Sequence, residues 1–275
     1  MKDLYTKLGL LGSIAAGFIV LVALAALFAP LLAPYDPTIG SVTQRFQSPS
    51  LEHLFGTDQA GRDIFSRILW GARSSLVGPL IVVVITAVCG TALALISVWW
   101  GGYVDAFISR LLDLLFAFPN LLLAMLAIAV FGPSQTTAAL ALAVAYIPYT
   151  ARIIRSTALR ERNLPYVSSP QLQGISGVTI TGRHLLPNVA PLIVTGATIN
   201  FGFAMIELAA LSFLGLGVQP PQADWGLMVS SGQQSLLKGY PAESIIAGLS
   251  IVLTVAAFGY VGEKLGGRAA AGRTR

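Results

Sequence analysis

The sequence has very little charge: Asp, Glu, Lys and Arg together make up 11% of its 275 residues, against about a quarter in soluble domains. That scarcity excludes an ordinary soluble globular domain. Cysteine occurs once, at Cys89, so no intramolecular disulfide can form. Histidine occurs twice, at His53 and His184, and no Cys/His pair has metal-ligand spacing, which excludes a zinc site. There is no phosphate-binding loop of the Gly-Lys-Ser or Gly-Lys-Thr type, so the chain does not itself bind ATP in that way. "GLGV", Gly215–Val218, lacks the third glycine and the flanking strand of a dinucleotide fingerprint. No serine has a His and an acid placed to activate it. The sequence therefore offers no catalytic, cofactor-binding or metal-binding residue.

What is abundant is apolar surface. The chain is 55% hydrophobic, with a mean hydropathy of +0.75. A helix needs about 20 apolar residues to cross the hydrocarbon of a bilayer. Leu8–Ala29 qualifies, and its length exceeds the apolar core of a cleaved signal peptide. It is expected to be a retained first transmembrane helix. Further spans are expected at Leu76–Trp100, Leu111–Phe131, Thr137–Thr157, Val189–Ala210 and Ser244–Gly262. "GPSQTT", Gly132–Thr137, separates the third from the fourth, because the uncharged run around it is too long for one crossing. Pro119 and Pro148 are expected to bend their helices. The expected fold is all-α, with six membrane-spanning helices.

The basic residues set the orientation. With the N-terminus inside, Lys2, Lys7, Arg110, Arg152, Arg155, Arg160, Arg162, Arg183, Lys264, Arg268, Arg273 and Arg275 are inside. Arg45, Arg62, Arg67, Arg73 and Lys238 are outside. That asymmetry follows the positive-inside rule and places both termini in the cytoplasm. It also accounts for the net charge of +5 without a nucleic-acid partner. The expected organisation is 1–73 as first helix plus outer segment, 74–263 as a five-helix core with a cytoplasmic loop at about 158–188, and 264–275 as a basic tail that meets lipid headgroups.

Within the outer segment, "APYDPTIGSVTQRFQSPS" is expected to be irregular. "GTDQAGRDIFSRILWGARSSL" is expected to form a separate amphipathic helix capped by Thr57 or Asp58. Ile64, Phe65, Ile68 and Leu69 share its apolar face, and Asp63 and Arg67 pair across one turn of the other. Such a helix lies in the membrane interface or packs on the bundle.

Glu207, near the outer end of the fifth span, is an ionisable group inside a span. Two readings stand: a functional buried carboxylate, or an interfacial one with its head in water. Asn200, Phe201, Phe203 and Glu207 are candidates for a path through the fifth helix, and packing is the alternative for each.

Between the fourth and fifth spans the chain turns polar: "YVSSPQLQGISGVTITGRHLLPN", Tyr166–Asn188. Ser168 or Ser169 is expected to cap a helix with Pro170 at its first position. Gln171, Leu172 and Ile175 would follow, with Gly174 and Gly177 open to close approach and Gly182 as the stop. This is either a docking element or a linker packed under the bundle. The stretch resembles the "EAA" loop of ABC importer permeases, with Gly174 at the pattern's glycine and "HLLP", His184–Pro187, at its ending. "FGTDQAGRDIFSRILWGARSSL", "GGYVDAFISRLLDLLFAFPNLLLA", "RHLLPN" and "LSFLGLGVQPPQADWG" are similar to the C-type permease subunit of dipeptide, oligopeptide and nickel importers. The resemblance covers nearly the whole chain.

The resemblance implies the type I importer permease fold in the inner membrane. It implies a B-type permease partner and two ATPase subunits, or one fused ATPase, that hold the ATP and Mg. It also implies an extracytoplasmic peptide-binding protein. Ser168, Ser169, Pro170, Gln171, Leu172, Gly174, Ile175 and Gly177 would form the coupling helix that meets an ATPase. The family's Glu-Ala-Ala is replaced here by Ser168-Ser169-Pro170, so a charged coupling contact is not expected. Dipeptides or short oligopeptides are the implied cargo, and nickel chelates, haem, glutathione or opines are carried by relatives. A secondary transporter would require inverted repeats and midplane charges, which the sequence does not display. An assembly subunit with no pathway is the third reading.

Overall fold

The computed structural model describes residues 2–271, with side-chain environments for 9–266. Among the described residues it is entirely helical, with no β-strand. Helix α1 covers Lys2–Leu27 and is interrupted at Gly9, whose φ of 71° is non-helical. A single turn, α2 (Ala29–Leu32), follows Phe28. After an irregular connection comes α3 (Ile64–Trp100), then α4 (Gly102–Phe116), α5 (Asn120–Phe131) and α6 (Gln135–Arg162). Next come two short helices, α7 (Pro165–Leu172) and α8 (Gly177–Ile180), and a π turn, Thr181–Leu185, that runs directly into α9 (Leu186–Phe213). The chain closes with α10 (Trp225–Leu237) and α11 (Ala242–Ala271).

Five of these helical runs are long and apolar enough to cross a membrane. The pair α4 and α5, which meet at 84°, is a candidate sixth span. The bend follows from Pro119, which ends helical geometry for the residue before it and caps α5 in extended conformation. Five of the six expected spans are thus matched by single long helices, and the expected third corresponds to this bent pair, which begins at Gly102. The sixth runs on as helix to Ala271, so residues 264–271 are not a separate tail. Residues 272–275 of the expected tail lie outside the described residues.

Small residues let the central helices approach closely. Ala138, Ala139, Ala143 and Leu142 of α6 are buried against Val82 of α3 and Ala204, Leu208 and Leu211 of α9. A Cβ added to Gly90 would meet Thr150 Cβ at 3.1 Å, which marks the α3–α6 contact. A second core joins Val22 and Ala26 of α1 to Phe201 and Met205 of α9, Trp225 and Met228 of α10, and Ala247 of α11. Large apolar side chains such as Leu31, Phe107, Leu126 and Phe131 stay exposed around the bundle, as a lipid-facing surface requires.

The expected amphipathic helix is not a separate element. Residues from Ile64 onward form the first turns of α3, which is continuous for 37 residues, or about 56 Å. Asp63, not Thr57 or Asp58, caps it, accepting from Ser66 N at 2.7 Å. Gly71 does not break the helix; it makes room for the Trp225 ring, which an added Cβ would meet at 2.8 Å. Trp225 Nε1 donates to the Ile68 carbonyl at 2.9 Å, so this face packs on α10.

Nor do Asp63 and Arg67 pair at the surface. Arg67 is 1% exposed. Its guanidinium donates to the Pro37 carbonyl at 2.9 Å and to the Pro221 carbonyl at 3.4 Å, and lies 3.6 Å from Asp58. The pair one turn apart is Asp58 with Arg62, at 2.6 Å. Asp58 also accepts from Ala60 N and Arg62 N, which folds "TDQAGR" into a tight turn. A buried cation held by two carbonyls and the nearby Asp58 carboxylate pins two connections, residues 33–63 and 214–224, to α3 at one end of the bundle.

Candidate functional site

Two regions carry features that packing alone does not require. The first is a groove of about 600 Å³, lined by residues from Phe116 to Asn120 at the α4–α5 break, by Ala145, Tyr146 and Tyr149 of α6, and by Asn200, Phe203 and Glu207 of α9. The 12 residues of α5 place the break roughly 18 Å from the Gly132 end of that helix. Glu207 faces this break. Its side chain is half-buried, between the two expected settings. Its Oε2 is enclosed and has no hydrogen-bond partner, and the Tyr146 hydroxyl and Asn120 amide address the carboxylate. No Lys, Arg or His lines the groove.

Three of the four path candidates meet here, and one does not. Asn200 is buried at the rim, its amide donating to Thr150 Oγ1 at 3.3 Å. Phe203 is exposed on the groove side. Phe201 points away, stacked on Phe258 of α11 at 4.0 Å between centroids, so it is a core residue. Sequence reasoning missed Asn120, Tyr146 and Tyr149. Asn120 carried a signal: it is a polar residue directly after Pro119 in an otherwise apolar run.

The second region is the α6–α9 connection. Helix α7 starts with Pro165 at its first position and Leu164 as the extended residue before it. The mechanism expected for Pro170 is therefore realised five residues earlier, because Leu164-Pro165 supplies the same cap geometry. Ser168 and Ser169 are interior, exposed and do not cap; Pro170 sits in the second turn. The helix ends at Gly174, with φ of 79°. Gly174 N donates to the Gln171 carbonyl and Ile175 N to the Pro170 carbonyl, both at 3.1 Å, which is the Schellman arrangement. Gly182 is not a stop: it lies within the π turn that leads into α9.

Seen from outside, α7 presents Ser168, Ser169, Gln171 and Leu172, followed by Gly174 and Ile175, all exposed. Leu172 is 89% and Val178 74% exposed. Beneath, Val167 is buried and the Tyr166 hydroxyl donates to Glu161 at 2.8 Å. Gly177 differs from Gly174. Open space surrounds Gly174, whereas an added Cβ on Gly177 would overlap the Trp99 ring at the end of α3. Arg162 holds that ring from the other side, 5.5 Å from its centroid, and donates to the Val98 carbonyl. The expected close approach at Gly177 is thus internal.

Comparison with known proteins bears on both regions. Residues 86–265 match the family described as binding-protein-dependent transport system inner membrane component. Residues 11–49 match the N-terminal transmembrane domain of oligopeptide transport permease C. A dipeptide transport system permease protein of Alkalihalophilus pseudofirmus is 39% identical over 259 residues, covering 94% of this chain and 84% of the relative. A probable D,D-dipeptide transport system permease protein of Escherichia coli is 38% identical over 249 residues, covering 90% and 83%. A glutathione transport system permease protein of Pectobacterium atrosepticum is 38% identical over 255 residues, covering 92% and 84%. The chain belongs to the family of inner-membrane components of binding-protein-dependent transport systems, as a multi-pass permease subunit without catalytic machinery of its own.

Proposed function

We propose that this permease is the C-type subunit of an ABC importer for dipeptides or short oligopeptides. It pairs with a B-type permease, is driven by two ATPase subunits or one fused ATPase, and receives cargo from an extracytoplasmic peptide-binding protein. Both termini and the α6–α9 connection are then cytoplasmic, in line with the distribution of Lys and Arg. The names of the relatives support a peptide cargo. Glutathione is the second reading, since relatives named for it are equally similar.

The observation that carries the assignment is the exposed apolar end of α7. Leu172, Ile175 and Val178 surround a helix end that is fixed by a Schellman motif and seated on α3. That is a rigid, uncovered surface suited to fit a groove in an ATPase and to pass on its movement. Ser168-Ser169-Pro170 adds no acid to it, so packing rather than charge carries the contact.

The test uses the complex reconstituted in proteoliposomes with binding protein and labelled dialanine. Leu172→Asp and Gly174→Arg should each abolish uptake and ATPase stimulation by loaded binding protein while the permease pair still assembles. Uptake and stimulation at the wild-type level in both variants would remove α7 from the role.

A further inference from the structure

We propose that Glu207 accepts the free α-ammonium group of a peptide in transit, in the groove between the α4–α5 break, α6 and α9. The inference rests on the peptide-importer reading above and adds to it a named contact inside the membrane. A carboxylate in apolar surroundings is costly unless a cation or hydrogen-bond donors satisfy it. Here the donors are Tyr146 and Asn120, one oxygen is left without a partner, and no basic residue lines the groove. What the site lacks is one positive charge.

The surroundings suit an ammonium group in particular. Phe118, Tyr149 and Phe203 line the same groove, and aromatic faces attract a desolvated cation; the Phe116 ring at its edge already carries Arg152, which is paired with Asp113. Its volume of about 600 Å³ lies in the range that holds small ligands. Asn200 spends its amide on Thr150, which leaves its carbonyl oxygen to accept from a peptide N–H. Side-chain identity would matter little to such a site. It reads the one group that all unblocked α-peptides share, which fits a path serving a binding protein that does the selecting.

The alternative occupant is a Lys or Arg of the partner permease, and the experiment separates the two. The assembled complex is arrested with ATP and vanadate in lipid discs. Photoleucyl-alanine is supplied directly at millimolar concentration, without binding protein, and cross-links are mapped by mass spectrometry. Wild type should cross-link at the groove, at Tyr149 or Phe203. Glu207→Gln should lower the yield about tenfold, as expected for losing one charge-assisted hydrogen bond, and Glu207→Asp should retain most of it. N-acetyl-photoleucyl-alanine should label wild type as weakly as the free probe labels Glu207→Gln. Complex recovery should be unchanged in Glu207→Gln.

Equal labelling by both probes, or an unchanged yield in Glu207→Gln, overturns the proposal. So does loss of complex recovery in Glu207→Gln, which would mark the carboxylate as a subunit contact. A wild-type complex that neither takes up dialanine nor responds to loaded binding protein would instead refute the peptide-importer reading itself.

Discussion

Gly177 stands so close to Trp99 that a Cβ on the glycine would lie 2.0 Å from the indole Nε1. This contact seats the exposed α7 end of the α6–α9 connection on the last turn of α3. It predicts that Gly177→Ala displaces the Trp99 ring at a cost of about 1–3 kcal/mol, as overpacking does elsewhere. Thermal unfolding of the purified protein should show a lower midpoint. In a Trp99→Ala background the same substitution should cost little. An equal cost in both backgrounds would mean that the clash is not with Trp99.

Arg67 donates to the Pro37 and Pro221 carbonyls and lies beside Asp58, so it ties α3 to two connections, residues 33–63 and 214–224. Arg67→Met should cost about 3 kcal/mol or more, because two carbonyls and a carboxylate lose a buried cation. Limited proteolysis should then cut within residues 33–63 faster than in wild type. An unchanged cleavage pattern would show that the connection is held by other contacts.

Two ion pairs offer a graded comparison. Arg155 Nε donates to Asp105 Oδ1 at 2.7 Å, and both side chains are about one-third exposed or less, at 31% and 26%. Arg152 pairs with Asp113 at 46% and 61% exposure. Double-mutant cycles with Ala should give a coupling of about 1 kcal/mol for the first pair and near zero for the second. The reverse order would contradict the burial argument.

Much of this was legible in the sequence, and the omissions have a physical pattern. Apolar run length located the five helices long enough to cross and the bent pair between them, since hydrocarbon thickness is a local constraint on each segment. Pro119 announced the broken third span. The misreadings came from contacts between distant segments. Arg67 looked like the exposed partner of Asp63 because nothing local reveals the carbonyls of Pro37 and Pro221. Phe201 was separated from Phe203 only by the α11 ring of Phe258. At α7 a proline does open the helix, but it is Pro165 after an extended Leu164, and no serine caps it.

Asp224 caps α10, accepting from Leu227 N at 3.1 Å and from Ser75 Oγ at 2.8 Å. Burial raises its pKa above the usual carboxylate value of 3.8. A raised folded pKa means that the native state binds more protons, so this group's contribution is fully present below the unfolded pKa and is lost as pH rises through the folded one. Wild type should therefore lose stability relative to Asp224→Asn as pH rises through that interval. Asp224→Ala should cost about 1 kcal/mol below that interval from the lost cap, and less above it. Parallel pH profiles for wild type and Asp224→Asn would refute the account.

The unbroken length of α3 has a mechanical consequence. One end carries the Arg67 clamp, and the other carries Trp99 under the α7 connection. A rod about 56 Å long that tilts by about 5° swings its far end by about 5 Å, nearly one helical turn. A small displacement at either face of the membrane thus reaches the opposite face as a large one, along a single piece of backbone.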